Sequence, residues 1–162
     1  VYSELGIGSS FILYLPMLER GQEQSPESVP DVKDYFGSGK ILVIDDEAIM
    51  RRTAEQILSE CGYDAVLADN GVDGLERYRI EHDSIRLVLL DMVMPKKSGE
   101  ETYLALKQLN PSVKVILSSG FKQDERVQRV LDFGVNAFIQ KPYDFMNLAK
   151  TVHQVLEDGH LN

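Results

Sequence analysis

Several predicted strands of this sequence end in side chains that could bind a metal ion or a phosphoryl group. Asp45 and Asp46 follow the apolar letters ILVI, and Asp91 follows LVLL. The run Ser118-Ser119-Gly120 follows VIL, and Lys141 follows AFIQ. Because ligands bind at the carboxyl ends of the strands in an open parallel sheet, we expect these groups to meet at one edge.

The chemistry that this set of residues favours is metal-assisted phosphoryl transfer. Carboxylates held close together repel one another and raise their own pKa values. A hard divalent cation such as Mg²⁺, which takes oxygen ligands, removes that repulsion. Lys141 brings a second positive charge to the same edge, so an anionic phosphoryl group could bridge metal and lysine. The simpler interpretation of Asp45-Asp46 as a solvated helix cap leaves the matching positions of Asp91 and Lys141 unexplained.

The elements that must position these residues begin at Lys40. Short apolar segments alternate with helical patterns, and several strands are apolar on both faces, which is typical of a parallel sheet covered on both sides. The predicted strands are ILVID, DAVLA, LVLLD, KVILS and AFIQ, and the predicted helices span 48–59, 72–81, 100–109, 124–133 and 145–156. We therefore predict an α/β domain with a doubly wound, five-stranded parallel sheet and helices on both faces.

The composition argues against several other classes of protein. A formal net charge of −9 and a pI of about 4.8 argue against nucleic-acid binding, which needs a basic surface. No apolar run reaches the length of a bilayer-spanning helix, and no signal peptide opens the sequence, so no membrane contact is expected. The single cysteine, Cys61, excludes an internal disulfide and favours a reducing, cytoplasmic compartment.

The chain is predicted to divide near residue 40. Residues 18–39 are rich in Gln, Glu, Ser, Pro and Gly, a composition typical of a flexible linker. Residues 1–17 contain one predicted strand, Phe11–Leu15, which cannot fold alone. Residues 40–162 hold the whole α/β pattern and are expected to form the functional domain.

The motifs VIDDE, LLDMVMPKKSG, SSG and KP, in this order, make residues 40–161 resemble the receiver domain of two-component signalling proteins. The resemblance implies the flavodoxin-like strand order 2-1-3-4-5 for the sheet, and it implies that Asp91 is the phosphoacceptor. It also implies that Asp46 ligates Mg²⁺ directly, that Asp45 assists partly through water, and that the backbone carbonyl of Val93 is a further ligand. No other cofactor is expected.

The same resemblance assigns roles to three residues on the last two strands. The Ser119 hydroxyl and the Lys141 ammonium would contact phosphoryl oxygens, and the Lys141-Pro142 bond would be cis. Phe138 would rotate inward as Ser119 is drawn to the phosphoryl group, altering the face built from the fourth helix, fifth strand and fifth helix. The expected partner is a phosphohistidine-bearing kinase or phosphotransfer domain. A homodimer is left open.

The amino-terminal segment GIGSSFILYLP, Gly6–Pro16, resembles the last glycine box and closing strand of a histidine-kinase ATP-binding domain. This resemblance implies that residues 1–17 are the remnant of such a domain in a hybrid sensor histidine kinase, whose parent chain could carry a membrane anchor. The receiver would catalyse its own phosphoryl transfer, the kinase activity would belong to the parent chain, and this segment alone would not bind ATP.

Three alternatives fit parts of the same pattern. A phosphatase of the haloacid-dehalogenase type also uses an aspartate after an apolar strand, but it needs a second aspartate where this chain has Val93. A flavodoxin-like cofactor binder would need a hydroxyl-rich phosphate loop where this chain has the acids 45–47. A degenerate receiver that only docks partners would not need the intact set of site residues.

A phosphorylated form of this protein is expected to lose its phosphoryl group slowly. Val93 and Phe121 stand two residues after Asp91 and Ser119, at positions that flank the site in the receiver family. Both side chains are apolar, and neither can orient an attacking water molecule. The decay of the phosphorylated mass in buffer measures the lifetime, and a half-life of only seconds would contradict this expectation.

Overall fold

The computed structural model describes residues 2–4, 6, 8–10, 12, 32–120 and 134–157. The chain forms two compact units, Val1–Pro30 and Asp31–Asn162. In the first unit, β1 (Tyr2–Glu4) and β2 (Gly8–Ser10) pair as an antiparallel hairpin. The strand predicted at Phe11–Leu15 lies, apart from Ile12, outside the described residues. The functional division predicted near residue 40 stays a prediction.

The second unit contains one sheet in which all strands are parallel. Its strands are β3 (Lys40–Ile44), β4 (Asp64–Ala68), β5 (Ile85–Asp91), β6 (Val115–Ser119) and β7 (Ala137–Gln140). They lie in the order β4-β3-β5-β6-β7, which places the first strand of this sheet beside the second and the third. This arrangement confirms the predicted doubly wound fold and its strand order.

Helices cover both faces of this sheet. They are α1 (Ala48–Glu60), α2 (Gly71–Glu81), α3 (Gly99–Leu109) and α4 (Phe145–Glu157), and a 3₁₀ turn, Val32–Tyr35, precedes the sheet. The helix predicted at 124–133 lies outside the described residues. Within the described ranges, no helix combines the length and the apolar character needed to span a bilayer.

The central strand β5 is apolar on both sides because it contributes to two separate cores. Leu87 and Leu89 pack with α1 and α4, in a cluster called here the α1/α4 core. Val88 and Leu90 pack with α2 and α3, in the α2/α3 core. Successive strand residues point to opposite faces, so this continuous apolar run fills both cores at once. The carboxylate that follows is therefore held at the end of a rigid strand.

The chain that leaves β5 passes very close to the start of α3. Gly99 opens this helix, and its N–H donates to the carbonyl oxygen of Met92 across 3.2 Å. Ser98 and Glu101 form a capping box that fixes the same turn. A Cβ at position 99 would lie 2.4 Å from the carbonyl oxygen of Asp91 and 2.6 Å from the Cα of Met92. Glycine is required here by space.

Replacing Gly99 by alanine is expected to lower the free energy of unfolding by about 2 kcal/mol, since backbone atoms block the added methyl group. Gly120→Ala is the matched control, because a Cβ there meets no atom of the described residues within 4 Å. Urea unfolding of the two variants and the wild type measures the difference. Equal stability of both variants would contradict the steric account of Gly99.

Candidate functional site

Three aspartates meet at the carboxyl edge of the sheet. Asp45 directly follows β3 and Asp91 ends β5, and these strands are neighbours paired up to Ile44 and Leu90. Carboxylate oxygens of Asp45, Asp46 and Asp91 all lie within 4.8 Å of one another. Asp45 and Asp91 are buried, whereas Asp46 is exposed. The structure thus brings together the acidic residues that the sequence placed at these strand ends.

Lys141 supplies the positive charge of this cluster. Its Nζ atom lies 2.6 Å from Oδ2 of Asp45 and 3.1 Å from Oδ2 of Asp91. The Lys141-Pro142 peptide bond is cis, as the resemblance implied. Burial disfavours the charged ammonium, but the hydrogen bonds and charges of both aspartates outweigh it and raise the pKa of Lys141. The side chain is therefore a cation shared between two carboxylates.

Asp91 carries an unfavourable charge in this setting. The pKa of its carboxyl group is raised to about 6, mainly by burial and also by the neighbouring charge of Asp45. The Lys141 ammonium and the backbone N–H of Val93 act in the opposite direction without cancelling the effect. With every group ionised, three carboxylates and one ammonium leave a charge of −2 (−3 + 1), which one divalent cation would balance.

The donor set also fits a hard cation at the level of single atoms. Oδ1 of Asp45 accepts a hydrogen bond of 2.9 Å from the backbone N–H of Glu47. Oδ2 of Asp45 is buried and lies 2.6 Å from the Lys141 ammonium. The fit to a hard cation therefore rests on the carboxylate oxygens of Asp45, Asp46 and Asp91, which lie close together and carry excess negative charge.

The other predicted site residues lie around this cluster. The Val93 side chain is 49% exposed, in the loop after β5. Ser119 is fully buried at the end of β6, and its carbonyl oxygen accepts the N–H of Lys141 across 2.9 Å. Phe138 is partly buried against the α2/α3 core. The roles given to these residues remain predictions, and Phe121 lies outside the described residues.

One buried hydroxyl group beside the cluster, that of Tyr143, was missed by the sequence reasoning, as was its pairing with Ser118. The hydroxyl of Tyr143 donates a hydrogen bond of 3.1 Å to Oγ of Ser118, and both side chains belong to the buried interior. Ser118 follows core residues along β6, so a buried hydroxyl there requires a partner. That requirement was the available signal, but the sequence does not identify Tyr143 as the partner.

Arg51 was also missed. Its Nη1 atom donates a hydrogen bond of 2.6 Å to the backbone carbonyl of Asp45, which ties the first turn of α1 to the loop that carries the acids. An arginine on a helix is ordinarily a surface residue, and its spacing from Asp45 gave no indication of this contact. Arg51 therefore acts on the acidic loop through the backbone rather than through a carboxylate.

Comparison with known proteins identifies related chains. A family model described as the response regulator receiver domain matches residues 41–153. The sensor kinase CckA of Brucella abortus is 30% identical over 162 residues, a match that covers 96% of this chain and 17% of CckA. The chain therefore spans only a small part of that relative.

Two solved structures share the fold. A response regulator receiver domain protein from Clostridium thermocellum superposes with a TM-score of 0.71 at 27% identity, covering 76% of this chain and 98% of that one. The CheY chain in a CheX-CheY-BeF3-Mg²⁺ complex from Borrelia burgdorferi gives a TM-score of 0.69 at 25% identity, covering 72% of this chain and 88% of that one.

Replacing Asp91 by asparagine is expected to stabilise the metal-free protein above pH 6 and not below pH 3.8. The folded state holds the proton more tightly than the unfolded chain, whose pKa is 3.8, so stability falls as the pH rises through the interval between 3.8 and about 6. A pKa difference of one unit corresponds to about 1.4 kcal/mol in the free energy of unfolding. The shift of Asp91 from 3.8 to about 6 therefore lowers that free energy by at most about 3 kcal/mol, and asparagine removes this loss.

Urea unfolding across this pH range in the presence of a chelator makes the measurement. Asp64→Asn is the control, because this carboxylate is exposed at the opposite end of the sheet and its removal should change little. If Asp91→Asn were no more stable than the wild type above pH 6, the electrostatic account of the cluster would be wrong.

Proposed function

The chain belongs to the response regulator receiver domain family of two-component signalling, and we propose that Asp91 is the residue that accepts the phosphoryl group. The observation that carries this assignment is the position of Asp91, buried at a strand end within 3.1 Å of the Lys141 ammonium and beside two other acids. The proposed donor is a phosphohistidine on a kinase or phosphotransfer domain.

In the proposed reaction, a carboxylate oxygen of Asp91 attacks phosphorus while the bond between phosphorus and the donor's imidazole nitrogen breaks. The electron pair of that bond returns to the imidazole, and the product is an acyl phosphate on Asp91. Lys141 stabilises the negative charge on the phosphoryl oxygens, and it is already positioned for this by Asp45 and Asp91. Transfer therefore depends mainly on positioning and electrostatics.

We assign Mg²⁺ to the acidic cluster. Asp46 and Asp91, with Asp45 partly through water and the carbonyl oxygen of Val93, would hold the ion. When bound, it supplies positive charge to the oxygens of the transferring group. The oxygen-only donor set and the charge of the cluster support this assignment. The Borrelia CheY structure, which contains Mg²⁺ and BeF3, agrees with it.

The signal is proposed to leave the site through the last strands. The Ser119 hydroxyl would contact a phosphoryl oxygen, and Phe138 would then turn further into the space beside β6. Phe138 lies opposite Leu117 in the β6–β7 register and is partly buried, next to the strand that carries Ser119. The altered surface would include β7, α4 and the predicted helix 124–133, where a partner or a second copy of the chain could bind.

The parent protein is proposed to be a hybrid sensor histidine kinase with its receiver in the cytoplasm. Under this proposal residues 1–17 end the kinase's ATP-binding domain and residues 18–39 form the linker. The match to CckA supports it, because that match covers 96% of the chain and therefore extends well before Lys40. Kinase activity would belong to the parent protein.

The alternatives from the sequence are not favoured. A phosphatase of the dehalogenase type needs a second aspartate two residues after the first. This chain has the apolar, exposed Val93 at that position. The flavodoxin-like cofactor binder conflicts with the acidic cluster that follows β3. The assembled cluster of Asp45, Asp91 and Lys141 also argues against a receiver that only docks partners.

Incubation with Mg²⁺ and a small phosphodonor, followed by intact mass measurement, tests the assignment of Asp91. The wild type is expected to gain one phosphoryl group and Asp91→Asn none, because the attacking carboxylate is missing. Asp64→Asn, which removes an exposed carboxylate outside the cluster, should label like the wild type. Chelation of divalent cations should abolish labelling. Labelling that survives in Asp91→Asn would refute the assignment.

A further inference from the structure

The two peptide groups on either side of Asp46 are each held by a hydrogen bond. The carbonyl oxygen of Asp45, which belongs to the first of these peptide groups, accepts a bond of 2.6 Å from Nη1 of Arg51. The N–H of Glu47, in the second peptide group, donates a bond of 2.9 Å to Oδ1 of Asp45. The N–H of Asp45 donates to the carbonyl oxygen of Ala68 across 3.2 Å, which joins this loop to the sheet. The backbone therefore fixes the direction in which the Asp46 side chain leaves the loop.

The Asp46 carboxylate depends on this backbone for its position. The side chain is exposed, and among the described residues it accepts no hydrogen bond and forms no ion pair. Asp45 and Asp91, by contrast, are buried and contact the Lys141 ammonium. Asp46 nevertheless has a carboxylate oxygen within 4.8 Å of those of the two buried aspartates. The two held peptide groups therefore keep this carboxylate near the cluster.

Arg51 holds the first peptide group from a polar cleft between α1 and α2. The cleft has a volume of about 350 Å³, and its lining includes the acidic residues Asp69 and Asp73. Asp73 pairs with Arg77 across 3.0 Å, and within the described part of the chain Arg51 forms no ion pair with either acid. An arginine that serves only as a charge would pair with a carboxylate. The bond to a neutral carbonyl oxygen therefore indicates a role in holding the backbone.

We propose that Arg51 is a positioning residue for the metal site and that it acts through Asp46. By holding the carbonyl oxygen of Asp45, the guanidinium group presets the direction of the Asp46 carboxylate toward a divalent cation. A preset ligand binds an ion more tightly, because less conformational freedom is lost on binding. The inference rests on the proposed function, since it requires a cation in the acidic cluster, and it adds a residue to which that function gives no role.

Charge and positioning predict opposite effects when Arg51 is replaced. The guanidinium group is a positive charge near the cluster and repels a cation, so loss of the charge alone would strengthen Mg²⁺ binding. Loss of positioning would weaken it. Arg51→Met removes both the charge and the donor and keeps a long side chain. Its Mg²⁺ affinity is expected to fall about tenfold, the lower end of the effect of mutating groups that orient metal ligands.

NMR titration of the full chain with Mg²⁺ measures these affinities from the backbone amide shifts. Arg52→Met is the matched control, because Arg52 is exposed in the same cleft and makes no hydrogen bond or ion pair with the other described residues. Its Mg²⁺ affinity should equal or slightly exceed that of the wild type. In metal-free Arg51→Met, amide shifts should change only around the cleft and the loop 45–47. Changes across the whole sheet would indicate a general structural role and would overturn the inference.

A double-mutant cycle tests whether Arg51 acts through Asp46. Asp46→Ala removes the carboxylate and should weaken Mg²⁺ binding. In that background Arg51→Met is expected to cause no further weakening, because the carboxylate that Arg51 positions is gone. A further loss of about tenfold in the double variant would mean that Arg51 acts on another part of the site, and the inference would be wrong.

The remaining outcomes separate this inference from the function on which it rests. An Arg51→Met variant that binds Mg²⁺ as tightly as the wild type, or more tightly, overturns the inference alone. An equal loss in Arg52→Met also overturns it, because the effect would then not depend on the bond to Asp45. A wild-type protein that binds no Mg²⁺, or an Asp46→Ala variant with unchanged affinity, refutes the proposed metal assignment, and the inference falls with it.

Discussion

The arrangement of this protein depends on two buried carboxylates that share one ammonium group. Asp45 and Asp91 lie on neighbouring strands, and Lys141 contacts both of them. Their repulsion is permanent while the sheet is intact, because the backbone register brings both strand ends to the same place. The site is thus held in an electrostatically unfavourable state that a bound positive ion would relieve. A flexible framework would let the carboxylates separate, so rigidity is a condition of the chemistry.

The framework supplies that rigidity through packing on both faces of the central strand. The α1/α4 core and the α2/α3 core hold β5 between them, and Gly99 lets the next helix begin against the backbone of Asp91. Arg51 fixes the neighbouring acidic loop through the carbonyl of Asp45. Packing forces and local hydrogen bonds therefore oppose the charge repulsion at the edge. The repulsion between the carboxylates destabilises the folded protein at the site, and the packing of the two cores compensates for it.

The sequence predicted the fold and the acidic cluster because both depend on patterns that span many residues. Apolar strands alternating with helices specify the sheet, and Asp45, Asp91 and Lys141 stand where strands end. Boundaries were less predictable: β5 begins at Ile85 rather than Leu87, since the polar Arg86 interrupts the apolar run. The pairing of Tyr143 with Ser118 was not predictable, because a hydrogen bond between distant side chains leaves no periodic trace in a single sequence.

The segment before the sheet is joined to the end of the domain opposite the acidic cluster. Gly37 donates its N–H to the carbonyl of Cys61, and Arg86 donates to the carbonyl of Ser38. The strands rise about 3.3 Å per residue, so the five residues of β3 separate this attachment from the carboxyl edge by roughly 15 Å. These contacts of Gly37 and Ser38 therefore lie away from the carboxyl edge and do not cover the acidic cluster.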